Sequence, residues 1–152
     1  MTQPSATDSV SLEIMIHTPV EKTWEAWTDP ALILKWFGSD PNGEGIKAEL
    51  DVRPGGEFEI SFRDSNGTEH TCSGVYVIVE KPEKLSFTWR WKSEPGVESL
   101  VNISFIDKKN STLMRFEHAN LGSASKHDYL QGWQSTFEKL LKVLSLPAGR
   151  GS

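Results

Sequence analysis

Cysteine is almost missing from this chain. Cys72 is the single one among 152 residues, which excludes an internal disulfide and any metal site built from cysteines alone, and fits a reducing compartment. No apolar run approaches the ~20 residues that a membrane-spanning helix needs. Met1 to Asp8 lacks the apolar core of a secretory signal, so a cytoplasmic protein without membrane insertion is expected. Clustered positive charge is missing too. The 16 Lys and Arg stand against 21 Asp and Glu, for a net charge of -5, which leaves no surface matched to nucleic acid or to an anionic membrane. His17, His70, His118 and His127 show no ligand-like spacing with one another or with Cys72. A zinc site needs three or four such groups converging, so neither metal nor cofactor is expected. Motifs for an activated serine, a zinc protease, a phosphate-cradling loop or a dinucleotide are all absent. Gly55-Gly56 is followed by a strand pattern and has no helix dipole to offer a phosphate. No catalytic residue is assigned, and a non-enzymatic role is the expectation.

What is present is hydrophobic period. From Ser125 to Leu146, Leu130, Trp133, Phe137, Leu140, Leu141 and Leu144 recur at steps of three and four, the apolar stripe of a long amphipathic helix. Ser125 with Asp128 reads as an acidic variant of the capping box, and Pro147 with Gly149 as the stop. Upstream, Val10, Leu12, Ile14 and Ile16 alternate with polar neighbours as a half-buried strand does. Thr18-Pro19-Val20-Glu21 and Asp29-Pro30 then announce two short helices, the second over Ala31 to Trp36. Their outline is that of a helix-turn-helix, but nothing basic decorates it.

From Ile46 the period becomes two. Ile46, Ala48, Leu50 and Val52 form one inward set, and Phe58, Ile60 and Phe62 another after the Arg53-Pro54-Gly55-Gly56 turn. Asn66-Gly67 signals a type I′ hairpin. A strand over about Glu69 to Val79 follows, whose faces the sequence does not separate. Leu85, Phe87, Trp89 and Trp91 then share one face; Val101, Ile103 and Phe105 mark a further strand, and Met114 and Phe116, with His118 in phase, a last one. Successive hairpins give a curved antiparallel sheet. The fold class is α+β: seven strands wrapped around a long C-terminal helix, with two short helices between the first and second strands. A single domain over 9–146 is expected, large enough to bury roughly 70% of its unfolded surface, with a disordered leader at 1–8 and a disordered tail at 147–152.

This order resembles the helix-grip fold of the START-like, Bet-v-one-like superfamily. Pro19 to Trp24, Thr28-Asp29-Pro30 through Trp36-Phe37-Gly38, Arg53 to Gly56, Gly74-Val75-Tyr76, Pro82 to Leu85 with Thr88-Trp89, and Gly132-Trp133 follow one another as in the activator of heat shock protein 90 ATPase homologue-like group. Each motif is short, and the ordered set over about Val10 to Leu144 carries the resemblance. It implies a cavity between sheet and helix that takes a small hydrophobic or amphiphilic ligand. It also implies two alternatives, a chaperone-associated role in the stress response and a polyketide cyclase or dehydratase-like activity. A small apolar ligand and a chaperone are thus the partners to expect, with the chain a monomer or weak homodimer.

The candidate cavity residues are Trp36, Phe58, Phe62, Trp89, Trp91, Met114, His118, Trp133 and Phe137. Indole and phenyl rings make core as readily as they make ligand-stacking walls. His118, in phase with Met114 and Phe116, is expected inward, as a hydrogen-bonded core or rim residue or as the polar group of the chamber. Gly132 costs about 1 kcal/mol in a helix interior, so space or close approach is expected beside it. Cys72, at mid-strand without a neighbouring base, reads as a small buried hydrophobe.

Overall fold

A computed structural model describes residues 9–93, 96, 98–120 and 126–145, with the side chains of 126–128 and 145 left out. The expectations for 1–8 and 147–152, the Ser125–Asp128 cap and the Pro147 stop lie outside the described residues, as does most of the turn at 94–97.

Seven strands form one antiparallel sheet: β1 (Val10–Ile16), β2 (Glu44–Leu50), β3 (Glu57–Arg63), β4 (Glu69–Glu80), β5 (Lys84–Trp91), β6 (Ser99–Asp107) and β7 (Thr112–Ala119). Their order across the sheet is β1-β7-β6-β5-β4-β3-β2. Consecutive strands are neighbours from β2 to β7, as tight turns dictate, whereas β1 and β2 are the two opposite edges. The chain between them is therefore a crossing of the sheet, made by α1 (Val20–Thr28) and α2 (Pro30–Ile33). The 20-residue α3 (Lys126–Ser145) supplies the long helix.

The core lies between the sheet's inner face and these helices. Trp27 sits at its centre, with Trp36 at 4.7 Å between ring centroids, Phe137 at 6.1 Å, Phe87 at 6.3 Å, and Phe116 and Trp133 each at 6.4 Å. The Trp36 indole N–H donates to the Ala26 carbonyl at 3.0 Å, which ties the turn after α2 to α1. Polar contacts also fasten α3: the Thr18 hydroxyl donates to the Leu144 carbonyl, and the Lys139 ammonium to the Asp40 carbonyl, both at 2.9 Å.

Local chemistry departs from expectation at several points. Asp29 caps α2 through Ala31 and Leu32 N–H, with Pro30 at the first turn, but α2 stops at Ile33 and a turn carries the chain to Gly38. Pro19, not Thr18, is the N-cap of α1 and no side chain caps it, because the Thr18 hydroxyl is turned to Leu144. At the β3–β4 turn only Gly67 has a positive φ, +94°, and the Asp64 N–H bonds Thr68 O, so the loop is one residue longer than a type I′ hairpin. The pairing of β2 with β3 shifts between Gly45 and Lys47, and this bulge turns Ile46 outward, against expectation. On β4 alternation buries Cys72 and Tyr76 and turns Val75 and Val77 outward, and a second shift, between Tyr76 and Ile78, reverses parity so that Val79 packs on the core. On α3, Leu130 is 39% exposed and so is not core, whereas Phe137 and Leu140 are buried. Among the described residues no helix is long and apolar enough to cross a membrane.

Candidate functional site

At one end of the groove between sheet and α3 the packing opens into a cleft of about 780 Å³. Four segments form it: the turn after α2 (Phe37, Gly38, Ser39), β3 with the start of β4 (Phe62, Thr68 to Thr71), the end of β5 and the residues after it (Trp89, Trp91, Lys92, Ser93), and the first half of α3 (Tyr129, Gly132, Trp133, Thr136). Strand parity explains the floor. Trp89 and Trp91 are successive inward residues at the end of β5, and Phe62 is the last inward residue of β3. Phe37 fills the corner between them, 5.8 Å from both Phe62 and Trp89 and 6.0 Å from Trp133. Trp89 stands 5.3 Å from Trp91 and 5.4 Å from Trp133. Across the cleft, Trp91 Nε1 donates to the Tyr129 hydroxyl at 2.7 Å, joining β5 to α3.

The rim is polar, more so than an apolar chamber would have it. His70 Nε2 lies 2.8 Å from Asp64 Oδ2, and its ring rests on Phe62 at 5.3 Å. Thr71 and Ser61 share a hydroxyl hydrogen bond, and Thr136 donates to the Gly132 carbonyl. Glu69 is paired with Arg63 at 3.1 Å. Beside the mouth, the Asp40 carboxylate accepts from Ser65 N–H, Ser65 Oγ and Asn42 N–H, and these bonds hold its pKa below the ordinary value. A Cβ added at Gly132 would meet only Ser39 Cβ, at 3.6 Å, so there is room beside this helical glycine.

Of the nine sequence-derived candidates, Phe62, Trp89, Trp91 and Trp133 line this cleft. Trp36, Phe58, Met114, Phe137 and His118 do not. They share the inward face but lie deeper along it, Phe58 around a void of about 10 Å³ with Trp27, Tyr76 and Phe87. His118 is therefore not the polar group of a cavity mouth. It is wholly buried behind Trp89 and Trp133. Trp133 Nε1 donates to His118 Nδ1 at 3.0 Å, and Ser99 Oγ lies 2.7 Å from Nε2. An indole nitrogen can only donate, so Nδ1 is the acceptor and the neutral ring carries its proton on Nε2, toward Ser99. Burial lowers its pKa to about 3, because protonation would set a charge in the core and a second N–H against the indole N–H.

The wall residues that the sequence reading missed are Phe37, Tyr129, His70, Lys92 and the hydroxyl residues of the rim. Phe37 and Tyr129, aromatic and next to chosen or periodic positions, were findable. Cys72 is buried with its thiol pKa raised by that burial, which keeps it a thiol and not a nucleophile. Among the described residues no three His, Cys, Asp or Glu converge as a metal would require.

Several solved structures share this architecture. A protein from Arthrobacter aurescens is similar at 19% identity and a TM-score of 0.82, covering 97% of this chain and 91% of that one. The AHSA1-like protein from Aeromonas hydrophila gives 22% and 0.76 over 89% and 90%, and protein MLL2253 from Mesorhizobium loti 28% and 0.70 over 90% and 96%. No curated protein gives a significant sequence match. The helix-grip arrangement is thus that of a group of bacterial domains, and the chain belongs to the family described as Activator of Hsp90 ATPase homolog 1-like protein, whose model matches residues 17–145.

Proposed function

We propose that this domain is a non-enzymatic binder of a small amphiphilic molecule, held with its apolar part on the aromatic floor and its polar end at the rim. The observation that carries the reading is the cleft itself. Its volume of about 780 Å³ falls within the range of about 300–1,000 Å³ usual for small-molecule sites, and Phe37, Phe62, Trp89, Trp91 and Trp133 meet in its floor with polar groups only above them. These five rings, already packed on one another in edge-to-face and tilted contacts, give such a floor a fixed shape, which spares a ligand the cost of ordering it. Neither the Cys72 thiol nor the His118 imidazole lines the cleft; the imidazole that does, His70, stands at the rim paired with Asp64.

The test is titration with 1-anilinonaphthalene-8-sulfonate, read by tryptophan quenching and probe emission, on the unaltered protein and on Gly132→Leu. Saturable binding to the first and its loss in the second, with an unchanged circular dichroism spectrum, is the expected pair of results. A protein that binds no probe, or a Gly132→Leu variant that binds it equally well, overturns the reading. Family membership favours one other reading, a role beside the heat shock protein 90 chaperone. That reading expects retention of the chaperone on the immobilised domain and stimulation of its ATPase, neither of which depends on Gly132.

A further inference from the structure

His70 is the first inward residue of β4. It faces Phe62 across the β3–β4 ladder and shares its side of the sheet with Cys72 and Tyr76. Its ring rests on the aromatic floor, 5.3 Å from Phe62 and 6.0 Å from Trp91 between centroids, and 36% of the side chain stays exposed where it lines the cleft. Asp64 decides what each ring nitrogen does. Its N–H bonds the Thr68 carbonyl, so it continues β3 one step beyond Arg63 and lies on the face of Phe62, diagonal to His70 at the loop end of the ladder. Asp64 Oδ2 stands 2.8 Å from His70 Nε2. A carboxylate can only accept, so Nε2 carries the proton of the neutral ring and Nδ1 is left with a lone pair.

The two nitrogens of an imidazole point in nearly opposite directions. With Nε2 turned toward the loop, Nδ1 is turned away from it, back along the sheet on the side of Trp91 and the cleft. Among the described residues Nδ1 has no partner. His118 makes the contrast, since its Nδ1 is also the acceptor but is taken by Trp133. The neighbours of His70 at the rim are occupied as well: Glu69 is held by Arg63, and Thr136 gives its hydroxyl proton to the Gly132 carbonyl. The lining thus offers a neutral acceptor of fixed tautomer directly beside the floor of flat rings.

Resting on the ligand-binding reading above, we propose that the polar end of the occupant is a neutral hydrogen-bond donor, an alcohol or phenol hydroxyl, received by His70 Nδ1. An anionic head is disfavoured because it sets a second acceptor against the lone pair, with the Asp64 and Glu69 carboxylates on the same rim. The site therefore selects a hydroxyl-bearing amphiphile over the ether or the acid built on the same apolar body.

The experiment compares 2-naphthalenemethanol with its methyl ether and with 2-naphthoate, by calorimetry at pH 8.5, above the range in which imidazoles ordinarily titrate. It uses the unaltered protein and His70→Phe, which keeps a ring on Phe62 and Trp91 but offers no acceptor. The alcohol should bind the unaltered protein about fivefold more tightly than the ether, as one net hydrogen bond implies, and naphthoate should bind more weakly than the alcohol. In His70→Phe the alcohol and the ether should bind alike. A second measurement needs no variant: imidazole ¹⁵N shifts should place the His70 proton on Nε2, and the Nδ1 signal should move with the alcohol and not with the ether. Equal binding of alcohol and ether, a preference that survives His70→Phe, tighter binding of naphthoate, or a proton on Nδ1 overturns the proposal and leaves the cleft a binding site. If none of the three binds while the anilinonaphthalene probe does, the proposal falls alone; if that probe does not bind either, both readings fall.

Discussion

Acid should loosen this fold through His118. In the folded chain its pKa lies at about 3, against an ordinary value of 6.5 once unfolding exposes the ring. Between those two pH values the unfolded chain takes up a proton that the folded chain refuses, so the free energy of unfolding rises with pH across this window. The contribution is whole above pH 6.5 and is lost as pH falls toward 3. The gap corresponds to about 5 kcal/mol in total, of which about 2 kcal/mol is lost by pH 5. The structural cause is specific: the ring is wholly buried, and Trp133 Nε1 already occupies Nδ1, the nitrogen that would receive the second proton. Urea unfolding at pH 7 and pH 5 measures the effect, with His118→Asn as reference. Asparagine keeps an acceptor for Trp133 but does not titrate, and carboxylates elsewhere act equally in both proteins. The stability difference between the two should change by about 2 kcal/mol between these pH values, in the direction of a weaker unaltered protein at pH 5. A difference that stays constant refutes the argument, as does a His118 ring resonance that titrates above pH 5 in the folded protein.

Phe137→Ala should cost roughly 3–5 kcal/mol in denaturant unfolding, since its ring is buried against Trp27, Phe116 and Trp133; a loss below about 1 kcal/mol would remove the α3 stripe from the core. Gly132→Ala should raise the thermal midpoint, with a gain of about 1 kcal/mol, because the new methyl meets only Ser39 Cβ at ordinary contact distance; a loss of stability would mean that the glycine serves close packing and not open space.

Strand alternation made most of the sheet legible, and its failures have one cause. In β1, β3, β5 and β7 each apolar residue of the period-2 pattern faces the helices, because nothing interrupts the pleat. In β2 and β4 a bulge inserts one residue against the partner strand, and parity reverses beyond it. Ile46 is turned outward by the first insertion, and the second returns Val79 to the inner face after Val75 and Val77 have pointed outward in phase with Cys72 and Tyr76 pointing inward. Asn66-Gly67 failed in a related way, since only the glycine takes the positive φ and the loop lengthens to suit. Thr18 shows a third kind of override: a capping residue in sequence terms, it donates instead to a carbonyl at the far end of α3, a partner 126 residues away that no local window contains.

The site was less legible because parity reports which face a side chain takes and not how far along the groove it lies. Trp89, Met114, His118 and Phe58 are all inward, yet only Trp89 stands where the packing opens. The long helix shows the same limit. At 100° per residue, Tyr129, Gly132 and Thr136 fall on one flank of the Trp133–Phe137–Leu140 stripe, and Leu130 and Leu141 on the other. The helix is rolled toward the first flank, which buries Thr136 and leaves Leu130 exposed. An apolar count centres the stripe on the leucines and so misplaces it. What the count treats as breaks in the pattern, a glycine and a threonine facing the sheet, are the residues that leave the cleft unfilled. Had Gly132 and Thr136 been leucines, the stripe would have been easier to read and the space beside Trp89 and Trp91 would have been occupied by the protein itself.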